Sequence, residues 1–171
     1  MARLFASWVP GYAAVAEWMG NPQLQFPQDH HVSPPQSDPV VPFSDVNGWR
    51  RAWGAFFRIG PNVENWIHIP IPTPVIVEDK RATLGRVMAL FRIDGGALQH
   101  VLVLDGPNLI LDRPGLDISG DHSGGLDSSN SFDVNHDGIA WGVGFSLNFR
   151  AFGAPADLYI ASAGGDFFHN I

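Results

Sequence analysis

Nine residues, 141–149, alternate strictly between large apolar and small side chains. Trp141, Val143, Phe145, Leu147 and Phe149 occupy one phase, and the other phase holds glycine, serine and asparagine. Successive side chains of a β-strand point to opposite faces of the sheet, so this pattern predicts a strand. We expect it to place all five apolar side chains in the core.

Further short apolar runs predict the other strands. They lie at residues 55–59, 66–71, 75–78, 84–93, 98–105, 109–111 and 158–163. Glycine, proline and aspartate separate the runs, as is typical of turns, and Asp94-Gly95-Gly96 predicts a hairpin. Many short strands without a long amphipathic helix predict an all-β fold, an antiparallel β-sandwich or jelly roll.

Proline divides the chain into three predicted parts. Residues 1–20 are apolar and are expected to pack on the body as a short strand pair or a helical turn. Residues 21–48 hold six prolines between positions 22 and 42, which predicts an extended arm because proline fixes φ and removes a backbone donor. Residues 49–171 are the predicted β-sandwich domain.

Charge and composition exclude several partners. The net charge is −7, and Lys80 is the single lysine, so we expect no nucleic-acid binding, which needs a basic patch. The chain has no cysteine, which rules out disulfides and thiolate chemistry. No apolar run is long enough to span a membrane, and the N-terminus does not have the pattern of a signal peptide, so we expect a cytoplasmic location by default.

Low surface charge favours association with another copy of the chain. Only 16% of the residues are charged, although 12% are aromatic, and an apolar surface needs a cover. Trp49 and Trp53 are candidate interface or ligand residues, because indoles dominate protein–protein hot spots. The leading hypothesis is therefore a non-catalytic protein that acts as a homo-oligomer or assembly subunit.

An aspartate-rich segment between residues 105 and 137 suggests a second function. Asp133, Asn135 and Asp137, followed by glycine, match the first half of a calcium loop, and Asp121 would supply a further oxygen. The glutamate that completes such a loop is missing. The alternatives are ordinary aspartate turns and a calcium-assisted module that binds carbohydrate or another small ligand.

The sequence gives little support for an enzyme. Asp121, His122 and Ser123 are consecutive, whereas the members of a catalytic triad converge from separate segments, so His122 is treated as a candidate interface or ligand residue. The seven histidines show no metal-binding spacing. A small β-barrel enzyme is the third hypothesis, and apart from calcium we expect no cofactor.

Four motifs resemble a family of small, functionally uncharacterised proteins. They are WIHIPIPTP at residues 66–74, LDG at 104–106, LDISGDH at 116–122 and SAGGDF at 162–167. The resemblance covers roughly residues 49–168. It implies a domain boundary and no particular activity.

Overall fold

The computed structural model describes residues 2–17, 41–42 and 48–170. Within these residues the secondary structure is fourteen strands and one short 3-10 helix, η1 (Gly11–Ala13), which confirms the predicted all-β fold. The strands are β1 (Ala2–Pro10), β2 (Val15–Ala16), β3 (Val41–Pro42), β4 (Gly48–Arg51), β5 (Gly54–Ile59), β6 (Glu64–Ile71), β7 (Ile76–Val77), β8 (Lys80–Arg81), β9 (Thr83–Asp105), β10 (Asn108–Arg113), β11 (Ile118–Asp121), β12 (Ser131–His136), β13 (Val143–Ala151) and β14 (Ala156–Asn170). No described helix is long and apolar enough to cross a lipid bilayer.

The long strand β9 organises the sheet. Twelve of the described strands form one antiparallel sheet, and β7 and β8 form a separate hairpin. Residues 83–94 of β9 pair with β14 and, on their other edge, with β12 and part of β11. Residues 96–105 pair with β13 and, on their other edge, with β10. We call these parts the first and the second half-sheet.

The prediction of a hairpin at Asp94-Gly95-Gly96 is wrong, because β9 continues through these residues without reversing its direction. Gly95 has a positive φ of 85°, and its carbonyl accepts the backbone N–H of Phe152 at 3.0 Å. A side chain at Gly96 would collide with the carbonyl oxygen of Arg150. The two glycines therefore carry β9 from one half-sheet to the other.

The inward side chains of the two half-sheets form one core. Phe91 on β9 meets Phe149 on β13 with ring centroids 5.3 Å apart, and Phe132 on β12 meets Phe145 on β13 at 6.2 Å. Val143, Phe145, Leu147 and Phe149 are all buried, as the alternation predicts.

Trp141 departs from that prediction, since it is 72% exposed. The strand begins only at Val143. Just before it, the carboxylate of Asp105 accepts the backbone N–H groups of Ala140, Trp141 and Gly142 at 2.7, 2.8 and 3.0 Å. Gly142 has a φ of 137°. Trp141 thus belongs to a loop, and the alternation does not extend to it.

The N-terminal segment forms part of the main sheet. Strand β1 pairs with the C-terminal half of β14, from Ala2 opposite Asn170 to Pro10 opposite Ser162. The N-terminal half of β14 pairs on the same edge with β5. Of the predicted arm, β3 pairs with β4; residues 21–40 and 43–47 lie outside the described part of the chain.

Candidate functional site

The outer surface of the β1–β14 ladder carries large exposed apolar side chains. Leu4 is 56% exposed, Trp8 38% and Phe168 37%. Leu4 lies directly opposite Phe168 in the strand register, and Trp8 lies opposite Gly164. We call these three side chains the β1 face.

Both aromatic rings of the β1 face lie over glycines. A Cβ at Gly164 would be 2.7 Å from Cδ2 of Trp8, and a Cβ at Gly85 would overlap the ring of Phe168. The rings therefore rest on the backbone of neighbouring strands and do not project from it. This arrangement makes the apolar surface flat, as an extended protein interface requires.

An ion pair lies between the two rings. Arg86 Nε donates to Asp166 Oδ2 at 2.6 Å, and the side chain of Asp166 is only 8% exposed whereas that of Arg86 is 47% exposed. Asp166 lies opposite Ala6, midway between Leu4 and Trp8 in the register. The β1 face thus combines aromatic groups with an arginine, the residue types that are enriched at interface hot spots.

Strand β1 is also an edge strand of the described sheet. In the described part of the chain it pairs with β14 alone. Its nine residues include one charged residue, Arg3. Nη1 of Arg3 lies 3.8 Å from Oε1 of Glu78. A long apolar edge strand with unpaired backbone groups is a template for pairing with another chain.

None of the three predicted interface residues lies on β1 or β14. Trp53 is 48% exposed in the turn between β4 and β5, where its carbonyl accepts the hydroxyl of Tyr159 at 2.8 Å. The backbone of Trp49 pairs with that of Phe56. His122 is half-buried and packs on Phe91, with ring centroids 5.2 Å apart. Trp49 and Trp53 thus belong to the hairpin of β4 and β5, and His122 follows β11.

The predicted calcium residues are also spread out. In the strand register, Asp121 lies opposite Arg92 of β9, and Asp133 lies opposite Arg86. These two positions of β9 are six residues apart, which corresponds to about 20 Å along a strand. Asn135 has a φ of 53° at an irregular point of β12. Asp137 accepts the hydroxyl of Thr83 at 2.6 Å.

No three histidine, aspartate or glutamate side chains converge as a metal site among the described residues. Calcium binding by Asp121, Asp133, Asn135 and Asp137 and ordinary aspartate turns stay the two alternatives predicted from the sequence.

The aspartates at residues 121 and 127 are held by hydrogen bonds within their own loop. The hydroxyl and the N–H of Ser123 both bond to Asp121, and they lower its pKa. The N–H of Ser129 lowers the pKa of Asp127 in the same way. Fully buried Asn130 joins the loop by donating to the carbonyls of His122 and Gly125. Donors of the chain itself therefore stabilise these carboxylates.

The sequence comparisons identify a family and no curated relative. A family model described as a family of unknown function (DUF6623) matches residues 40–160, more than half of the chain. No curated protein matches the sequence. The β1 face lies outside the matched residues, because β1 and residues 162–170 of β14 precede and follow them.

Proposed function

This chain belongs to the family of unknown function DUF6623, and from its own geometry we propose that it is a non-catalytic all-β protein that acts by self-association through β1. The observation that supports this proposal is the coincidence of two features on one strand. Within the described residues β1 is an edge strand that pairs with β14 alone, and the adjoining β1 face offers flat aromatic surface.

A second copy of the chain is the partner that suits such a strand. Two β1 strands related by a twofold axis pair antiparallel, and each contributes the same surface to the other. The single charge of β1, Arg3, gives no strong repulsion between copies. The low proportion of charged residues in the whole chain is consistent with a surface that another copy covers.

The test is the oligomeric state of a variant with a charge on the β1 face. Leu4→Lys suits this purpose because Leu4 is 56% exposed, so the substitution leaves the core unchanged. Light scattering across a wide range of concentrations should show two or more chains per particle for the wild type and one for Leu4→Lys. The matched control is Leu126→Lys, at an apolar residue that is 45% exposed in a loop, and it should associate like the wild type.

A monomeric wild-type protein at every concentration would overturn the proposal, as would an unchanged mass for Leu4→Lys. Trp53→Lys tests whether the interface extends to the residue predicted from the sequence. A loss of association in Trp53→Lys with retention in Leu4→Lys would move the interface from β1 to the turn between β4 and β5.

A further inference from the structure

A groove runs along β13 on the outer surface of the second half-sheet. The outward residues of β13 are short: Gly144, Ser146 and Asn148. The residues directly opposite them are larger, namely Pro70, His68 and Trp66 on β6, and Leu104, Leu102 and His100 on β9. Two rows of large side chains thus flank a low floor.

One end of the groove is covered by an aromatic pair. Trp66 and His100 approach each other across β13 with ring centroids 5.1 Å apart, and Asn148 below them is only 3% exposed. The floor at Gly144 is open, because the nearest neighbour of a Cβ built there would be the Cβ of Leu104 at 4.0 Å. A ligand therefore has room over Gly144, about 13 Å along β13 from the aromatic pair, and buried Ser146 lies between the two positions.

Polar groups line the β6 side of this space. His68 Nδ1 and Ser146 Oγ are hydrogen-bonded at 2.8 Å. The other ring nitrogen of His68, Nε2, lies 3.8 Å from Oε2 of Glu17. About half of each of these two side chains is exposed. Glu17 follows β2, whose Val15 pairs with His68. A hydroxyl, an imidazole and a carboxylate thus lie in sequence across the rim.

The β9 side repeats the pairing of histidine with a carboxylate. His100 Nε2 and Asp112 Oδ1 are 2.6 Å apart, and the side chain of Asp112 is 53% exposed. Asp112 lies on β10 opposite Leu102. Each rim therefore presents a half-exposed carboxylate next to an imidazole, and apolar surface from Leu102 and Leu104 lies between the two carboxylates.

We propose that this groove binds a neutral, polyhydroxylated ligand, an oligosaccharide chain. Carboxylates are strong acceptors for hydroxyl groups, and an imidazole can both donate and accept. Buried Ser146 holds the ring of His68 through its hydroxyl. The indole of Trp66 supplies a flat apolar surface for the C–H face of a sugar ring. A concave apolar site with a few oriented polar groups is the usual form of a small-ligand site.

The charges of the rims select against anionic ligands. Glu17 and Asp112 lie one on each side, and the chain as a whole carries −7. Arg150, in the same phase of β13, lies opposite Glu64 at the far end of the strand, beyond Asn148. A phosphate or an acidic sugar would meet carboxylates on both sides of the groove.

The position of Ser146 favours a groove that binds its ligand without hydrolysing it. His68 places an imidazole on its hydroxyl, as in a serine hydrolase, but an oxyanion also needs N–H donors aimed at it. Ser146 lies in the middle of β13, which is paired on both edges with β6 and β9. The backbone N–H groups around it are thus used in the sheet.

Affinity electrophoresis of the full chain tests the proposal with a panel of neutral polysaccharides, glucan, mannan, xylan and galactan, and with acidic pectate as the charged comparison. We expect at least one neutral gel to retard the wild type. Asp112→Asn and Trp66→Leu should weaken that binding about fivefold or more, the loss expected for one good contact. Trp53→Ala, which removes an exposed indole outside the groove, should bind like the wild type.

Three results would overturn the proposal. They are retardation in no neutral gel, retardation in pectate alone, and equal retardation of the wild type, Asp112→Asn and Trp66→Leu. The melting temperature of each variant shows whether it is folded. Because Asp112 is exposed, Asp112→Asn provides the test even if Trp66→Leu is unstable. Retardation with the stated pattern of variants supports the groove as a carbohydrate site.

Discussion

Asp105 accepts the backbone N–H of Trp141 through its Oδ1 at 2.8 Å, across 36 residues of sequence. The same carboxylate holds the N–H groups of Ala140 and Gly142. One buried side chain thus fixes the loop that leads into β13. Its removal should loosen the start of the strand that forms both the core and the floor of the groove.

Replacement of Asp105 should destabilise the protein at neutral pH. Burial alone would raise the pKa of Asp105, but three backbone N–H groups together outweigh it and lower the pKa below its ordinary value of 3.8. Because charged acceptors make the stronger bonds, Asp105→Asn should reduce the free energy of unfolding at pH 7 by about 1–3 kcal/mol. Urea unfolding of both proteins measures this difference.

The pH dependence of that difference has a defined sign. A carboxyl group with a lowered folded-state pKa stabilises the fold above its unfolded pKa, and the contribution is lost as the pH falls through the folded value. The difference in the free energy of unfolding between the wild type and Asp105→Asn should therefore become smaller below about pH 4. Asp79→Asn, at an exposed turn residue, should show no such difference. A difference that is constant from pH 7 to pH 3 would contradict the assignment.

Gly11 should tolerate no side chain. It is buried in η1, and a Cβ there would collide with the carbonyl oxygen of Ile160 and lie 2.6 Å from its carbonyl carbon. Gly11→Ala should cost about 1–3 kcal/mol of stability, as overpacking usually does. Gly124→Ala is the control, because nothing lies within 4 Å of a Cβ at that position. Equal midpoints of denaturant unfolding for the two variants would refute this packing.

The alternation in β13 leads to a test of the core. Phe145 is fully buried and meets Phe132 across the two half-sheets. Phe145→Ala should lower the free energy of unfolding by about 3–5 kcal/mol, because it leaves a cavity. Phe152→Ala, at a phenylalanine that is 48% exposed, should change it by less than about 0.5 kcal/mol. Thermal unfolding separates the two outcomes.

Calcium should leave the melting temperature unchanged. Asp137 is bonded to Thr83, and Asp121 pairs with β9 far from Asp133, so the four predicted ligands do not surround one ion in this structure. An ion present at a hundredfold excess over its dissociation constant would add about 2.7 kcal/mol of stability. A rise in melting temperature with calcium that Asp133→Ala abolishes would show that the loop does bind it.

Local pattern predicted the strands better than their connections. The alternation from Val143 to Phe149 requires only neighbouring residues, so the sequence was enough to place that strand. Asp94-Gly95-Gly96 permits either a hairpin or a bend, since both use glycine with a positive φ. The choice is made by contact with Arg150 and Phe152, more than 50 residues away, which no local pattern contains.

The groove was missed for a similar reason. Its floor consists of the small residues of the same alternation, Gly144, Ser146 and Asn148. The alternation predicts which residues enter the core, and it does not predict what lies beside the small residues on the outer surface. Its rims come from β2, β6, β9 and β10, and their order across the sheet is a matter of pairing. His68 and Trp66 are two residues apart on β6 and share one face of the strand, and the partners that make this face polar come from other strands.

The pairing of β1 with the end of β14 has a consequence for synthesis of the chain. The paired residues are at least 152 positions apart in sequence, so β1 leaves the ribosome on the order of ten seconds before its partner at ordinary elongation rates. During that interval its apolar side chains are without their native ladder. On a polysome, where neighbouring nascent chains present the same strand, this delay is the period in which chains are most prone to pair with each other instead of folding alone.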